Sequence, residues 1–232
     1  MNAPSSHLSV LLALLAHDLR NPLSAILTNV NFVKSTMRGP SSDVEEALDD
    51  SALSCATLGQ VIGNLDVLAR SLASASPTRQ PLAIRQVAEE TATRFRPHGA
   101  LTRLRIEVGD DAVAPTLFVE PTLFGRALDN LVANAVQYSP ADGEIRIECE
   151  ESGDRGALVV VDEGPVVPAE LREQALAANW QNQAKQRYEA RYGRGVGLYC
   201  AAEAARIAGA QVEIGERGGL STFVLAAALA PH

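Results

Sequence analysis

Aromatic residues are scarce in this chain of 232 residues: Phe, Trp and Tyr together make up 4%. The hydrophobic fraction of 47% is therefore carried mostly by Leu, Ala, Val and Ile, and Leu and Ala favour helices. Cysteine is nearly absent. Cys55, Cys149 and Cys200 are far apart, lack metal-ligand spacing, and read as small buried hydrophobes of a reducing compartment. No window reaches the roughly 18 apolar residues that span a bilayer. No basic stretch followed by an apolar run marks a secretory leader. These absences predict a cytoplasmic chain without direct membrane insertion. Excess positive charge is missing too. Lys and Arg number 20 against 28 Asp and Glu, a net charge of -8, which argues against a basic track for nucleic acid. A nucleotide is not excluded, because Mg²⁺, backbone amides and one or two local bases suffice to hold it.

The apolar pattern divides the chain. Leu8, Leu11, Leu12, Leu15, Leu19, Leu23, Ile26, Leu27 and Val30 recur at three- and four-residue steps, predicting a helix over 7–36. Pro22 falls inside it and removes a backbone donor. Gly39-Pro40-Ser41-Ser42 breaks the pattern. A second helix is predicted over 43–71, with Asp43 and Glu46 spaced as a capping pair. Two such helices form an antiparallel hairpin whose stripes are too broad to bury alone, so a second copy completing a four-helix bundle is expected. Residues 73–78, rich in Ser and Ala, read as a linker. Beyond it the pattern predicts helices over 81–95, 122–137 and 198–208. Strands are predicted over 104–108, 144–149, 157–161, 210–214 and 221–228, with 157–161 central. The expected architecture is multidomain: an all-α hairpin over 1–75, a linker over 76–81, and an α/β sandwich over 82–232, its helices on one face of a mixed sheet.

Four groups of residues carry chemistry. His17 and Asp18 lie side by side on the first helix. Neutral imidazole is nucleophilic near pH 7, and the carboxylate can orient one ring nitrogen while the other attacks phosphorus. Asn21, one turn on, can position a water for the reverse hydrolysis. Asn130 and Asn134 share one face of an otherwise apolar helix, where asparagine is poor material, and their amide oxygens suit Mg²⁺. Asp162 ends an apolar strand and is followed by Gly164; a carboxylate there can accept from an adenine amino group. Gly193, Gly195 and Gly197 precede a helix, and backbone amides in such a turn suit phosphate oxygens. Bland readings stand beside each: a solvated patch, polar structural links, an ordinary strand end. Trp180, Lys185, Arg187 and Arg191 lie in a polar stretch that reads equally as a mobile lid or as a solvated loop.

Taken together, these residues give the chain a resemblance to the transmitter core of bacterial two-component sensor histidine kinases, a histidine-phosphotransfer hairpin followed by a Bergerat-fold ATPase domain. His17-Asp18-Leu19-Arg20-Asn21-Pro22-Leu23 is similar to the family's phosphoacceptor box, which implies His17 as phosphorylation site, Asp18 as acidic helper and Asn21 as phosphatase residue. Asp129-Asn130-Leu131-Val132-Ala133-Asn134-Ala135-Val136-Gln137-Tyr138 resembles the asparagine box, implying ATP and Mg²⁺ contacts from Asn130 and Asn134 and a base-side contact from Tyr138. Asp162-Glu163-Gly164 resembles the first glycine box, implying Asp162 on adenine, and Gly193 to Gly197 the second. The resemblance implies a homodimer that phosphorylates His17 from ATP and passes the phosphoryl group to an aspartate of a response-regulator receiver domain. The input then comes from a separate sensory protein, or from a region absent from this sequence, or there is none. Val166 stands where the family has glycine, Gln137 where a base is common, and 176–180 lacks the lid's aromatic pair. These departures leave an alternative: a phosphorelay or scaffold protein with a degenerate ATPase-like half.

Overall fold

A computed structural model describes residues 42–73, 77–110, 114–178 and 196–231, with 18, 19, 21, 22, 24–26, 28, 29, 32 and 33. The chain divides into two compact units, Met1–Asp66 and Val67–His232.

In the first unit every described residue from 18 to 33 is helical, Pro22 included, and Pro22 is buried. Helix α1, Ser42–Ala73, runs 32 residues. It begins one residue before Asp43, which therefore sits inside the first turn instead of capping it. Ser51 Oγ donates to the Ala47 carbonyl at 2.8 Å, and Thr28 Oγ1 to that of Ser24 at 2.9 Å, so these hydroxyls are absorbed by their own helices. Two seven-residue stripes run side by side along α1. Ala47, Ser54 and Val61 are buried, whereas Leu48, Cys55 and Ile62 are exposed.

The second unit opens with the end of α1. Val67 is fully buried in its core, and Ser71 Oγ donates to Glu203 Oε2 at 2.6 Å. The order then runs β1 Gln80–Ala83, α2 Ile84–Thr102, β2 Arg105–Val108, β3 Thr116–Val119, α3 Pro121–Tyr138, β4 Glu144–Ser152 and β5 Arg155–Asp162. A 3-10 turn Ala169–Leu171 leads into the short α4, Arg172–Ala175, followed by α5 Gly197–Ala208, β6 Ala210–Arg217 and β7 Leu220–Ala228. The main sheet has the order β2-β4-β5-β7-β6. Among the described strands of this sheet only β2 and β4 pair in parallel, so the sheet is mixed and β5 is central, as its nearly all-apolar sequence predicts.

One sheet face is packed under helices, and the other carries a narrower apolar strip beside charged side chains. On the inner face Ile145, Ile147, Leu158, Val160, Phe223 and Leu225 are fully buried with Phe124, Leu128 and Leu131 of α3. From α5 come Ala201, Ala204, Ala205 and Ala208, all fully buried; small side chains let α5 approach closely, which is how an aromatic-poor chain reaches core density. The outer face carries Val159 and Val161 in a narrow apolar strip. Beside it Arg217 reaches Glu148 and Glu150 at 3.0 and 2.8 Å. The hairpin β6–β7 turns on Gly218 and Gly219, with φ of 59° and 84°, the two-residue turn that only glycine makes without strain.

Cys149 and Cys200 are buried as expected, but Cys55 is exposed, and two expectations about the second unit's elements also change. The helix expected over 81–95 after a short extended piece begins later: the extended piece is β1, which takes in Pro81 and Leu82, and α2 starts at Ile84 and continues to Thr102. Strand β3 was not foreseen. It pairs antiparallel with β1 in a separate two-stranded sheet, Pro81 opposite Phe118. Proline lacks a ladder donor and is tolerated on such an edge.

Candidate nucleotide site

Helix α3 is anchored before it reaches the site. Glu120 caps it, its carboxylate accepting from Leu123 N at 2.6 Å, and Pro121 occupies the first turn, where a missing N–H costs nothing. Two turns on, Asn130 is 2% exposed. Its Nδ2 donates to the Arg126 carbonyl at 2.9 Å, which fixes the orientation of the amide. The amide oxygen lies beside Gly197, the first residue of α5: a Cβ there would stand 3.6 Å from Asn130 Oδ1. The asparagine helix and the last glycine of the predicted phosphate turn thus meet. Asn134, one turn further, buries an Nδ2 that has no hydrogen-bond partner among the described residues. Tyr138 follows on the same face, partly buried.

Asp162 ends β5 at 1% exposure. One carboxylate oxygen accepts from Gly164 N at 2.7 Å, a local turn of the kind Asp makes with the backbone two residues on. Across the sheet its partners are Ile145 on β4 and Ser221 on β7. Ser221 is fully buried, and its Oγ has no hydrogen-bond partner among the described residues. A buried carboxylate and a buried hydroxyl therefore end adjacent strands on the inner face, the face on which α3 packs. Sequence reasoning missed Ser221. The signal was present: Phe223, Leu225 and Ala227 alternate inward on β7, and the period of two puts a polar residue at 221 where an apolar one belongs.

Two of the departures from the family pattern, Val166 and Gln137, lie among the described residues. Among the described non-glycine residues only Arg103 and Asp142 have positive φ, so Val166 adopts its turn without backbone strain. Val167 beside it is fully buried, and its carbonyl accepts from Arg172 Nε at 3.1 Å, which pins the turn after Asp162. Gln137 is exposed. In the first unit Asp18 is helical and partly buried, and Asn21 is helical and exposed. His17, Gly193, Gly195, Trp180, Lys185, Arg187 and Arg191 lie outside the described residues.

Known protein families match both halves of the chain. Residues 7–74 match the family model described as His Kinase A (phospho-acceptor) domain. Residues 119–230 match the one described as Histidine kinase-, DNA gyrase B-, and HSP90-like ATPase. The sensor protein IrlS of Burkholderia pseudomallei is 29% identical over 189 residues, 79% of this chain and 39% of IrlS. Among solved structures, the Acinetobacter baumannii histidine kinase AdeS superposes with a TM-score of 0.61 at 17% identity, over 93% of this chain and 98% of that one. Full-length ShkA in complex with AMPPNP gives 0.62 at 21% identity, over 95% of this chain and 46% of ShkA. A phosphoacceptor helical unit followed by an α/β ATPase sandwich defines a transmitter core. The chain belongs to the two-component sensor histidine kinases and spans about two-fifths of the length of the relative IrlS.

Proposed function

We propose that the chain is an ATP-dependent protein histidine kinase that phosphorylates itself on His17 and passes the phosphoryl group to an aspartate of a response-regulator receiver domain. The observation that carries this reading is the meeting of Asn130 Oδ1 with the opening turn of α5 at Gly197. An amide oxygen fixed by its own Nδ2 bond, and next to a helix N-terminus, offers a hard donor and a positive backbone end together. That donor set fits Mg²⁺ and a nucleotide phosphate, and the unpartnered Asn134 Nδ2 fits a phosphate oxygen. Asn130 and Asn134 are the residues that would hold the Mg²⁺ of MgATP, which offsets phosphate charge when bound. Asp162 and Tyr138 take the base side, and Gly164, Gly193 and Gly195 let backbone approach the nucleotide. ShkA, of like fold, was solved with AMPPNP, a nucleotide of the same class.

In the reaction an imidazole nitrogen of His17 attacks the γ-phosphorus, the bond from phosphorus to the bridging oxygen breaks, and ADP leaves. Asp18 holds the other ring nitrogen and its proton. Asn21 positions water for the hydrolytic direction. The proposed functional division is residues 1–75 for dimerisation and phosphotransfer, 76–81 as linker and 82–232 for ATP, with the linker's last two residues, Gln80 and Pro81, taken up in β1. The cytoplasm, which holds ATP and receiver domains, is its compartment; no helix among the described residues is long and apolar enough to cross a membrane.

A homodimer is part of the reading. Leu48 and Ile62 of α1 are 56% and 55% exposed, fourteen residues apart on the stripe that Cys55 shares, and an apolar seven-residue repeat is the seam of helical pairing.

Incubation with γ-labelled ATP and Mg²⁺, beside a His17→Ala control, tests the proposal. Acid-labile label that disappears in the control is the expected result. A folded dimer that takes no label favours the phosphorelay or scaffold alternative.

A further inference from the structure

Helix α3 carries a charge where its neighbours are apolar. Leu128, Leu131 and Val132 are fully buried, and Asp129 among them is 4% exposed. Its carboxylate accepts from Arg94 of α2 and from the Thr91 hydroxyl at 3.4 Å. Arg126, one turn back on α3, stands 3.9 Å away. A carboxylate buried among apolar side chains loses its hydration, and an apolar residue would pack there without that loss, so its presence asks for another reason.

Geometry supplies one. A helix held only by Leu, Val and Ala can rotate or slide at small cost, because apolar burial is non-directional. A buried ion pair has one good geometry and so fixes register, the best attested use of such pairs. Asp129 precedes Asn130 directly. The Asn130 amide is bonded to the carbonyl of Arg126, the same residue whose guanidinium faces Asp129. One helical turn thus holds both the lock onto α2 and the amide whose oxygen lies beside Gly197. Arg94 is itself 52% exposed, so it supplies charge without being desolvated in turn.

We propose that Asp129 is a positioning residue: its ion pair with Arg94 sets the rotation of α3 about its axis and so aims Asn130 and Asn134 at the Mg²⁺–phosphate group of the nucleotide. The inference rests on the nucleotide reading of those asparagines. Asp129 itself touches no ligand. It orients the residues that do, as outer-sphere partners orient metal ligands.

Calorimetric titration of the full chain with MgATP, and with ATP in EDTA, is the test. The variants are Asp129→Asn, Arg94→Gln and the two combined, with Leu225→Val as a core control remote from α3's polar face. The expected result for Asp129→Asn is a Tm at or above wild type with MgATP binding weakened about tenfold. Affinity for ATP in EDTA should barely move, and the double variant should bind no more weakly than either single one. Unchanged MgATP affinity in Asp129→Asn overturns the proposal. So does a loss equal with and without Mg²⁺ that Leu225→Val reproduces at the same fall in Tm, since that is a structural effect. A folded wild type that binds no MgATP refutes the nucleotide reading and the inference with it, and that outcome is recognised from the wild-type titration alone.

Discussion

Ser221 sits in the core of the second unit with a hydroxyl that no described group answers. An unsatisfied buried polar group costs about 1–3 kcal/mol, so alanine at this position is expected to leave the nucleotide-free protein as stable or more stable. The strand partner of Ser221 is Asp162, the residue proposed to face the base. Ser221→Ala should therefore weaken ATP binding roughly fivefold, the worth of one neutral hydrogen bond of about 1 kcal/mol. Titration calorimetry and a melting curve on one preparation check both halves. A Tm several degrees lower with unchanged affinity would make Ser221 a packing residue only. The site residues that could be read directly were those whose chemistry is conspicuous in one dimension: asparagines in an apolar helix, a carboxylate at a strand end. Ser221 needed its strand's facing. Asp129 needed Arg94, 35 residues earlier, and that contact exists only once α2 packs on α3.

At the scale of elements, α1 carries the clearest unspent surface. Its buried and exposed seven-residue stripes are adjacent, the geometry of a helix that meets one neighbour in its own chain and another in a second copy. Burying Leu48 and Ile62 from both copies is worth about 1.5–3 kcal/mol for each side chain. Leu48→Glu combined with Ile62→Glu should turn a dimer into a monomer of unchanged helix content, read by sedimentation equilibrium and circular dichroism. A double variant that stays dimeric would remove this stripe from the interface. Long periodic helices are the easiest elements to read in sequence. Helix α3, expected over 122–137, runs Pro121–Tyr138, one residue longer at each end. Strands β1 and β3, four residues each, are too short for a period of two to show, and Pro81 and Leu82 continue smoothly into the apolar pattern of α2. Their pairing with each other, across 33 to 39 positions, is a tertiary fact that local pattern does not contain.

The molecule as a whole is two compact units, each with its own burial, and a ligand that binds one of them stabilises that one by mass action. MgATP at 100 times its Kd adds about 2.7 kcal/mol to the folded state that binds it. For a unit the size of residues 67–232 that is a rise of about 5–10 °C in Tm. The rise is expected to depend on the proposed site residues Asn130, Asn134 and Asp162, which all belong to this unit. Asn134→Ala should abolish it while changing the nucleotide-free transition little, because the Asn134 Nδ2 that is lost makes no hydrogen bond with a described group. Scanning calorimetry with and without MgATP, on wild type and on this variant, separates the two effects. A wild-type transition that does not move with MgATP would mean that the α/β unit keeps the kinase fold without its nucleotide, and phosphate would then have to reach His17 from a phosphorylated partner.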